Sequence, residues 1–216
     1  MTIIELKKVW LNGKLVSRDE ARVDILTHAL HYGTAVFEGI RCYQTAKGPA
    51  IFRGKDHVIR LFHSEHILGR ELGYTEDVLL KAIKDTIKAN GLKSCYIRPL
   101  AFLGLGGMGL SPKNVSLNIA ISCWEWGTYL GEEGMAKGIR AKISSFQRHF
   151  VNAGMTKAKL SGSYYNSVMA KDEALKLGFD EAIMLDHEGF VSECSGENLF
   201  LIRDGILYTQ PKATIL

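Results

Sequence analysis

Apolar and polar positions along the 216-residue chain follow two periods, and each change of period marks an element boundary. Residues 9–16 read as a hairpin, because Asn12-Gly13 is a favoured type I′ turn between two apolar arms. A helix is expected over 57–72, with Val58, Leu61, Phe62, Leu68 and Leu72 on one face. The next takes Thr75 as its N-cap, carries Val78, Leu79, Ala82, Ile83 and Ile87 on one stripe, and ends before Gly91. Strand-like runs follow at 94–103 and 115–124.

Residues 127–138 hold four glycines and no apolar period, which predicts a linker between a first domain (1–126) and a second (139–216). Beyond it the pattern predicts a strand at 139–144, an irregular stretch to Thr156 and a helix over 163–177. A meander of short strands at 181–185, 190–194, 198–202 and 206–209 follows, with Glu188-Gly189 and Asp204-Gly205 at turns. Strands and helices mix without strict alternation, so the fold class is α+β. The chain stops after the last hairpin with no covering helix, which leaves one face of the meander poorly buried. A longer protein, of which this is part, is the expectation.

Composition narrows the class. With 46% hydrophobic and 23% charged residues the chain is an ordinary folded protein, not a disordered or fibrous one. The 27 Lys and Arg against 23 Asp and Glu leave only +4, with no block of like charge, so nucleic acid is not an expected partner. No apolar run reaches the ~18 residues of a membrane span, and no signal peptide opens the chain. Cys42, Cys95, Cys123 and Cys194 are too dispersed for a disulfide framework or a thiolate zinc site, which fits a reducing compartment, the cytoplasm.

Several motifs admit more than one reading. Gly104, Gly106 and Gly109 spell G-x-G-x-x-G after a strand, but the next residues enter another strand, leaving no helix for a pyrophosphate. A nicotinamide site is therefore disfavoured. The pairs His28/His31 and His63/His66 sit at i, i+3, yet no third ligand is signalled, so no metal site is expected. Tyr96 and Arg98 share a strand face, and an Arg there needs an anion, from the protein or from a ligand. Both remain open. Lys157 and Lys159 precede a helix, and at a pKa of ~10.4 only about one lysine in 2,500 is neutral at pH 7. Lowering that to ~7.5 takes roughly 4 kcal/mol, which only a formed pocket supplies. Composition does not choose between the two. Glu193 reads equally as a structural or a functional carboxylate.

These segments together resemble the branched-chain amino acid aminotransferases, pyridoxal 5′-phosphate enzymes of fold type IV. The matching stretches are H-A-L-H-Y-G-T-A-V-F-E-G-I-R-C-Y (28–43), H-x-x-R-L (57–61), Y-I-R-P-L (96–100) and G-M-G (107–109). They continue with W-G-x-Y-L-G (126–131), A-K-x-x-G-x-Y (158–164) and S-E-x-x-G-E-N-L-F (192–200). The resemblance implies a smaller N-terminal domain and a C-terminal cofactor domain, incomplete here, in a homodimer or larger homo-oligomer. It implies that Lys159 carries the cofactor covalently and shuttles the substrate proton. Arg60 would bind the phosphate, Tyr164 the ring hydroxyl, Glu193 the pyridine nitrogen, and Leu216 would pack on the ring. Tyr96, Arg98 and Gly39 would meet substrate, Arg98 taking the side-chain carboxylate of glutamate. Tyr32, Phe37, Trp126 and Tyr129 would wall an aliphatic pocket. The family continues past Leu216 with P-G-I-T-R and a small-hydroxyl segment that complete the phosphate cup. A D-amino acid transaminase, an aminodeoxychorismate lyase or a non-catalytic dimerising fragment are the alternatives to transamination of leucine, isoleucine and valine with 2-oxoglutarate.

Overall fold

The computed structural model describes residues 6–127, 131–211 and 215–216, with residue 132 described by its backbone alone. The chain divides into two units, Met1–Trp126 with Lys159–Gly162, and Gly127–Ala158 with Ser163–Leu216.

The first unit runs β1 (Lys8–Leu11), β2 (Lys14–Ser17), α1 (His28–Tyr32), β3 (Ala35–Phe37), β4 (Ile40–Thr45) and β5 (Gly48–Ile51). It continues with α2 (Gly54–Ile67), α3 (Glu76–Ala89), β6 (Cys95–Leu103) and β7 (Leu117–Trp124). Its antiparallel sheet has the order β2-β1-β7-β6-β4-β5, with β3 also on β6. The expected hairpin is β1–β2, with Val9 opposite Val16 and positive φ at both Asn12 and Gly13.

Strands β3 and β4 are one strand with a break. The register against β6 is the same on both sides, Phe37 opposite Leu100 and Ile40 opposite Ile97. Between them Glu38 N donates to Pro99 O at 2.9 Å, and Pro99 has no N–H to return. Alternation along this strand sends Val36, Glu38, Ile40 and Cys42 to one face, where all four are buried. With Ile97, Ile119 and Ile121 they meet Val58 and Leu61 of α2 and Leu79, Ala82, Ile83 and Ile87 of α3 in one apolar cluster. Phe37, Gly39, Tyr96, Arg98 and Trp124 are left to the opposite face of the sheet.

Helix α3 is capped as its sequence predicts, Thr75 Oγ1 accepting from Val78 N at 3.4 Å. Val78 itself is 43% exposed, and Thr86 takes the stripe position instead. Helix α2 ends at Ile67, five residues earlier than expected. Gly69 turns left-handed at φ 69°, while Leu68 and Leu72 still pack on the core from outside the helix. Apolar spacing outlasts the helix there.

The second unit runs α4 (Gly131–Lys137), β8 (Ala141–Ile143), α5 (Val151–Gly154), α6 (Tyr164–Lys176), β9 (Glu181–Leu185), β10 (Val191–Cys194), β11 (Phe200–Arg203) and β12 (Ile206–Thr209). The stretch expected as a bare linker thus contains a helix, supported by a Glu133–Lys137 pair at i, i+4 (2.9 Å). Strands β8 and β9 are parallel, and β10 pairs antiparallel with β9. Helix α6 lays Ala170 and Ala174 against Ala182 and Met184. The meander is not continuous, because β11 and β12 form a separate two-stranded sheet. All of their residues are exposed, Ile202 by 74%. No helix among the described residues is long and apolar enough to cross a membrane.

Candidate active site

In the first unit the break at Glu38-Gly39 organises the chemistry. Glu38 is fully buried, and its carboxylate accepts from Arg60 Nε at 2.5 Å, Arg60 Nη2 at 2.8 Å, His57 Nδ1 at 2.8 Å and Gly39 N at 3.2 Å. Burial opposes ionisation, but the bonds from Arg60 and His57 outweigh it, and the carboxyl sits below its ordinary pKa. His57, Arg60 and Ser64 lie at i, i+3 and i+7, one face of α2.

Ser64, also fully buried, extends that face to the candidate lysine: its Oγ accepts from Lys159 N at 3.1 Å. Lys159 O accepts from Phe37 N at 3.0 Å, and Val36 bridges to Leu160. The backbone around Lys159 is therefore fixed on both sides, and its half-buried side chain places Nζ 5.2 Å from the centroid of the Phe37 ring. The same strap brings Gly162 against Gly33, where a Cβ on Gly33 would collide with the Gly162 backbone.

Arg98 lies on the open face of the sheet among aromatic rings. Its Cζ is 4.5 Å from the Phe37 centroid, 5.3 Å from Tyr96 and 6.0 Å from Trp124, and its Nη2 donates to Tyr96 Oη at 3.1 Å. Arg98 Nε is buried without a hydrogen-bond partner, and among the described residues no carboxylate pairs with this guanidinium. Of the two sources of an anion that the sequence left open, the described residues of the protein supply none. Tyr96 is wedged edge-on against Trp126 at 4.5 Å, and Trp124 lies 5.2 Å from Tyr96. Trp126 O accepts from Arg41 Nη1 at 3.0 Å. Gly39 faces the same hydroxyl, since a Cβ there would overlap Tyr96 Oη.

Tyr32, at the end of α1, donates to Met108 O at 2.6 Å. His28 is buried between Thr34 Oγ1 (2.8 Å) and Gly109 O (3.1 Å), and His31 meets Ile25 O, so this histidine pair is satisfied by protein partners. The glycine-rich loop leads into β7, with no helix after it. Tyr129 lies outside the described residues.

The second unit carries its own set. Glu193 is buried on β10 and pairs with the equally buried Arg148, Nε to Oε1 2.6 Å. Arg148 also donates from Nη1 to Ser167 Oγ at 3.1 Å. Tyr164 opens α6, half-buried. Leu216 is half-buried. Lys157 is exposed and donates to Ile215 O at 2.6 Å, an ordinary surface role.

Sequence reasoning placed His57 in the H-x-x-R-L motif without a role and singled out neither Ser64, Trp124 nor Arg148. For Ser64 the i, i+3, i+7 spacing with His57 and Arg60 is the signal that could have found it.

A half-buried lysine and an oriented guanidinium both tied to one helix face, with a second guanidinium held among aromatic rings, are equipment for transferring groups between small anionic molecules. The profile of the amino-transferase class IV family matches residues 35–216, and the chain belongs to that family. It is 48% identical over 206 residues to the branched-chain-amino-acid aminotransferase of Pseudomonas aeruginosa, a match spanning 95% of this chain and 67% of that protein. The crystal structure of the Escherichia coli branched-chain amino acid aminotransferase superposes with a TM-score of 0.95 at 43% identity, over 97% of this chain and 69% of that one. The T.th. branched-chain amino acid aminotransferase complexed with N-(5′-phosphopyridoxyl)-L-glutamate superposes at 0.91 with 45% identity, over 99% and 69%.

Proposed function

We propose that the protein transfers the amino group of leucine, isoleucine or valine to 2-oxoglutarate with pyridoxal 5′-phosphate as cofactor. The observation that carries this reading is Lys159, whose backbone is fixed by Ser64 and Phe37 and whose amine lies half-buried over an aromatic face. By residue type the donors suit the cofactor: in the first unit the Lys159 amine its aldehyde and the Arg60 guanidinium its phosphate, and in the second unit the Glu193 carboxylate its ring nitrogen and the Tyr164 phenol its ring hydroxyl. Leu216 would pack against the ring.

When bound, the cofactor supplies an electron sink for charge developing at the substrate α-carbon. Glu193, itself buried and paired, favours a protonated ring nitrogen. Lys159 Nζ would take the substrate α-proton and return it. Arg98 receives the side-chain carboxylate of glutamate or 2-oxoglutarate, since its charge is held by rings and a phenol and, among the described residues, is not cancelled by a carboxylate. Phe37, Tyr32 and Trp126 would line the aliphatic part, and Gly39 leaves room beside Tyr96. The complexes of the T.th. relative with a phosphopyridoxyl-glutamate and with 4-methylvaleric acid support the dual acceptance of acidic and aliphatic substrates.

A homodimer or larger homo-oligomer in the cytoplasm completes the reading. Ile25, Leu26, Leu30, Leu105 and Leu110 are all more than half exposed, on α1, its approach and the loop that α1 hydrogen-bonds, an apolar surface suited to a second copy.

Borohydride reduction of the cofactor-loaded protein, followed by peptide mapping, tests the central assignment. The label belongs on Lys159. Label on Lys157, or on no lysine, refutes it.

A further inference from the structure

We propose that Glu38 is the positioning residue of the cofactor's phosphate subsite, fixing the edge of Arg60 that meets the phosphate; this rests on the reading of Arg60 as the phosphate arginine. The argument starts from an asymmetry of burial. The Glu38 side chain is 0% exposed, whereas that of its partner Arg60 is 39% exposed. Ion pairs on a surface expose both members, and structural pairs in a core bury both. Here a fully buried anion anchors a cation that is only partly enclosed.

The geometry of the anchor decides which edge faces away from it. Glu38 engages Nε and Nη2 together, the side-on bidentate mode, which fixes the guanidinium plane as well as its position. Nη1 and the second Nη2 hydrogen then point away from Glu38, a pair of donors with the spacing that phosphate oxygens accept. His57 and Gly39 N hold the carboxylate itself, so Glu38 cannot swing to follow Arg60. The same face of α2 fixes the backbone of Lys159 through Ser64, so phosphate donor and covalent lysine are referred to one rigid helix. Glu38 touches neither reacting atom nor substrate. It acts through Arg60.

Glutamine tests this closely. It keeps the shape but replaces one acceptor oxygen by an amide that faces the donors of Arg60 and His57, so the guanidinium loses its fixed edge. The probes are pyridoxal 5′-phosphate and unphosphorylated pyridoxal, titrated into cofactor-stripped protein and followed by the cofactor's visible absorption. In E38Q the Kd for pyridoxal phosphate rises about tenfold or more, the size of one charge-assisted hydrogen bond, while that for pyridoxal stays within about twofold. E38D, which keeps the charge but retracts it by a methylene, falls between wild type and E38Q, and it carries the same comparison if E38Q does not fold. In the double variant E38Q/R60M, the loss is no greater than in R60M alone. Parallel weakening of both ligands makes Glu38 a structural residue only and overturns the proposal. Unchanged or tighter pyridoxal phosphate binding overturns it too, because the Glu38 field would then outweigh any orienting effect. The underlying reading fails separately: R60M would leave the preference for the phosphorylated ligand intact.

Discussion

Gly39→Ala puts the packing of the open sheet face to a quantitative test. A Cβ at residue 39 would overlap Tyr96 Oη and lie 2.9 Å from Tyr96 Cζ. Carbon–carbon contacts settle at ~3.5–4.0 Å, so the ring must retreat by roughly 0.6–1 Å, and its hydroxyl, at the end of a rigid lever, by at least as much. Retreat is resisted by Trp126, 4.5 Å away, and Trp124, 5.2 Å away. The Arg98 Nη2–Tyr96 Oη bond starts at 3.1 Å, so such a shift carries it beyond hydrogen-bonding reach. Overpacking of this kind costs about 1–3 kcal/mol, and the lost bond from a charged donor about 1.5–3 kcal/mol. Thermal unfolding of G39A is expected roughly 5–24 °C lower, at about 2–4 °C per kcal/mol for a chain of this size. The KM for glutamate is expected to rise tenfold or more while pyridoxal phosphate affinity, which Tyr96 does not touch, changes by less than about twofold. Adding Tyr96→Phe removes the closest atom and restores part of the lost thermal stability. A G39A protein with wild-type melting and wild-type glutamate KM would show that Tyr96 is not held against this position, and the reasoning fails.

Two further outcomes follow from the titratable groups. Lys142, Ser144 and the Ser145 amide hold the Glu173 carboxyl down to about 2, tying α6 to the end of β8. A depressed carboxyl contributes stability that is complete above its unfolded value and is lost as pH falls toward the folded one, so acid titration followed by far-UV circular dichroism should show a loss between about pH 4.5 and 2. In E173Q that slope flattens; an identical slope refutes the assignment. All four cysteines are free and buried, and burial pushes the Cys42 and Cys194 thiols up to about 11. A disulfide reagent at pH 8 should therefore modify no thiol rapidly in the native protein and four in guanidinium; one fast stoichiometric thiol contradicts the burial.

Local signals were legible where one short segment carries all the information. Asn12-Gly13 determines its hairpin through φ alone, and Thr75 with Gly91 brackets α3 by capping chemistry. Apolar spacing misled at Leu68 and Leu72, which pack on the core after Gly69 has already turned the chain out of the helix. The glycines at 131 and 134 hid α4, whose Glu133–Lys137 pair and absence of β-branched residues compensate. The charged network was harder to read. Glu38 and Arg60 lie 22 positions apart, and Arg148 and Glu193 lie 45 apart, so no periodicity links them. Family motifs named Arg60 and Glu193 but said nothing of what holds each in place. Trp124 next to Arg98 follows only from the strand register that sets Tyr96 opposite Trp124.

The strap Lys159–Gly162 makes the first unit discontinuous in sequence, and this bears on synthesis. A ribosome delivers residues 1–126 well before the segment that bonds Phe37 N, Ser64 Oγ and Gly33 O. At roughly 5–20 residues per second the gap of 32 residues lasts a few seconds, during which the nascent sheet waits with that edge of β3 unsatisfied. The residue expected to hold the cofactor is then also the one whose arrival closes the first unit. A chain released before it would lack both the reactive amine and the last hydrogen bonds of the scaffold.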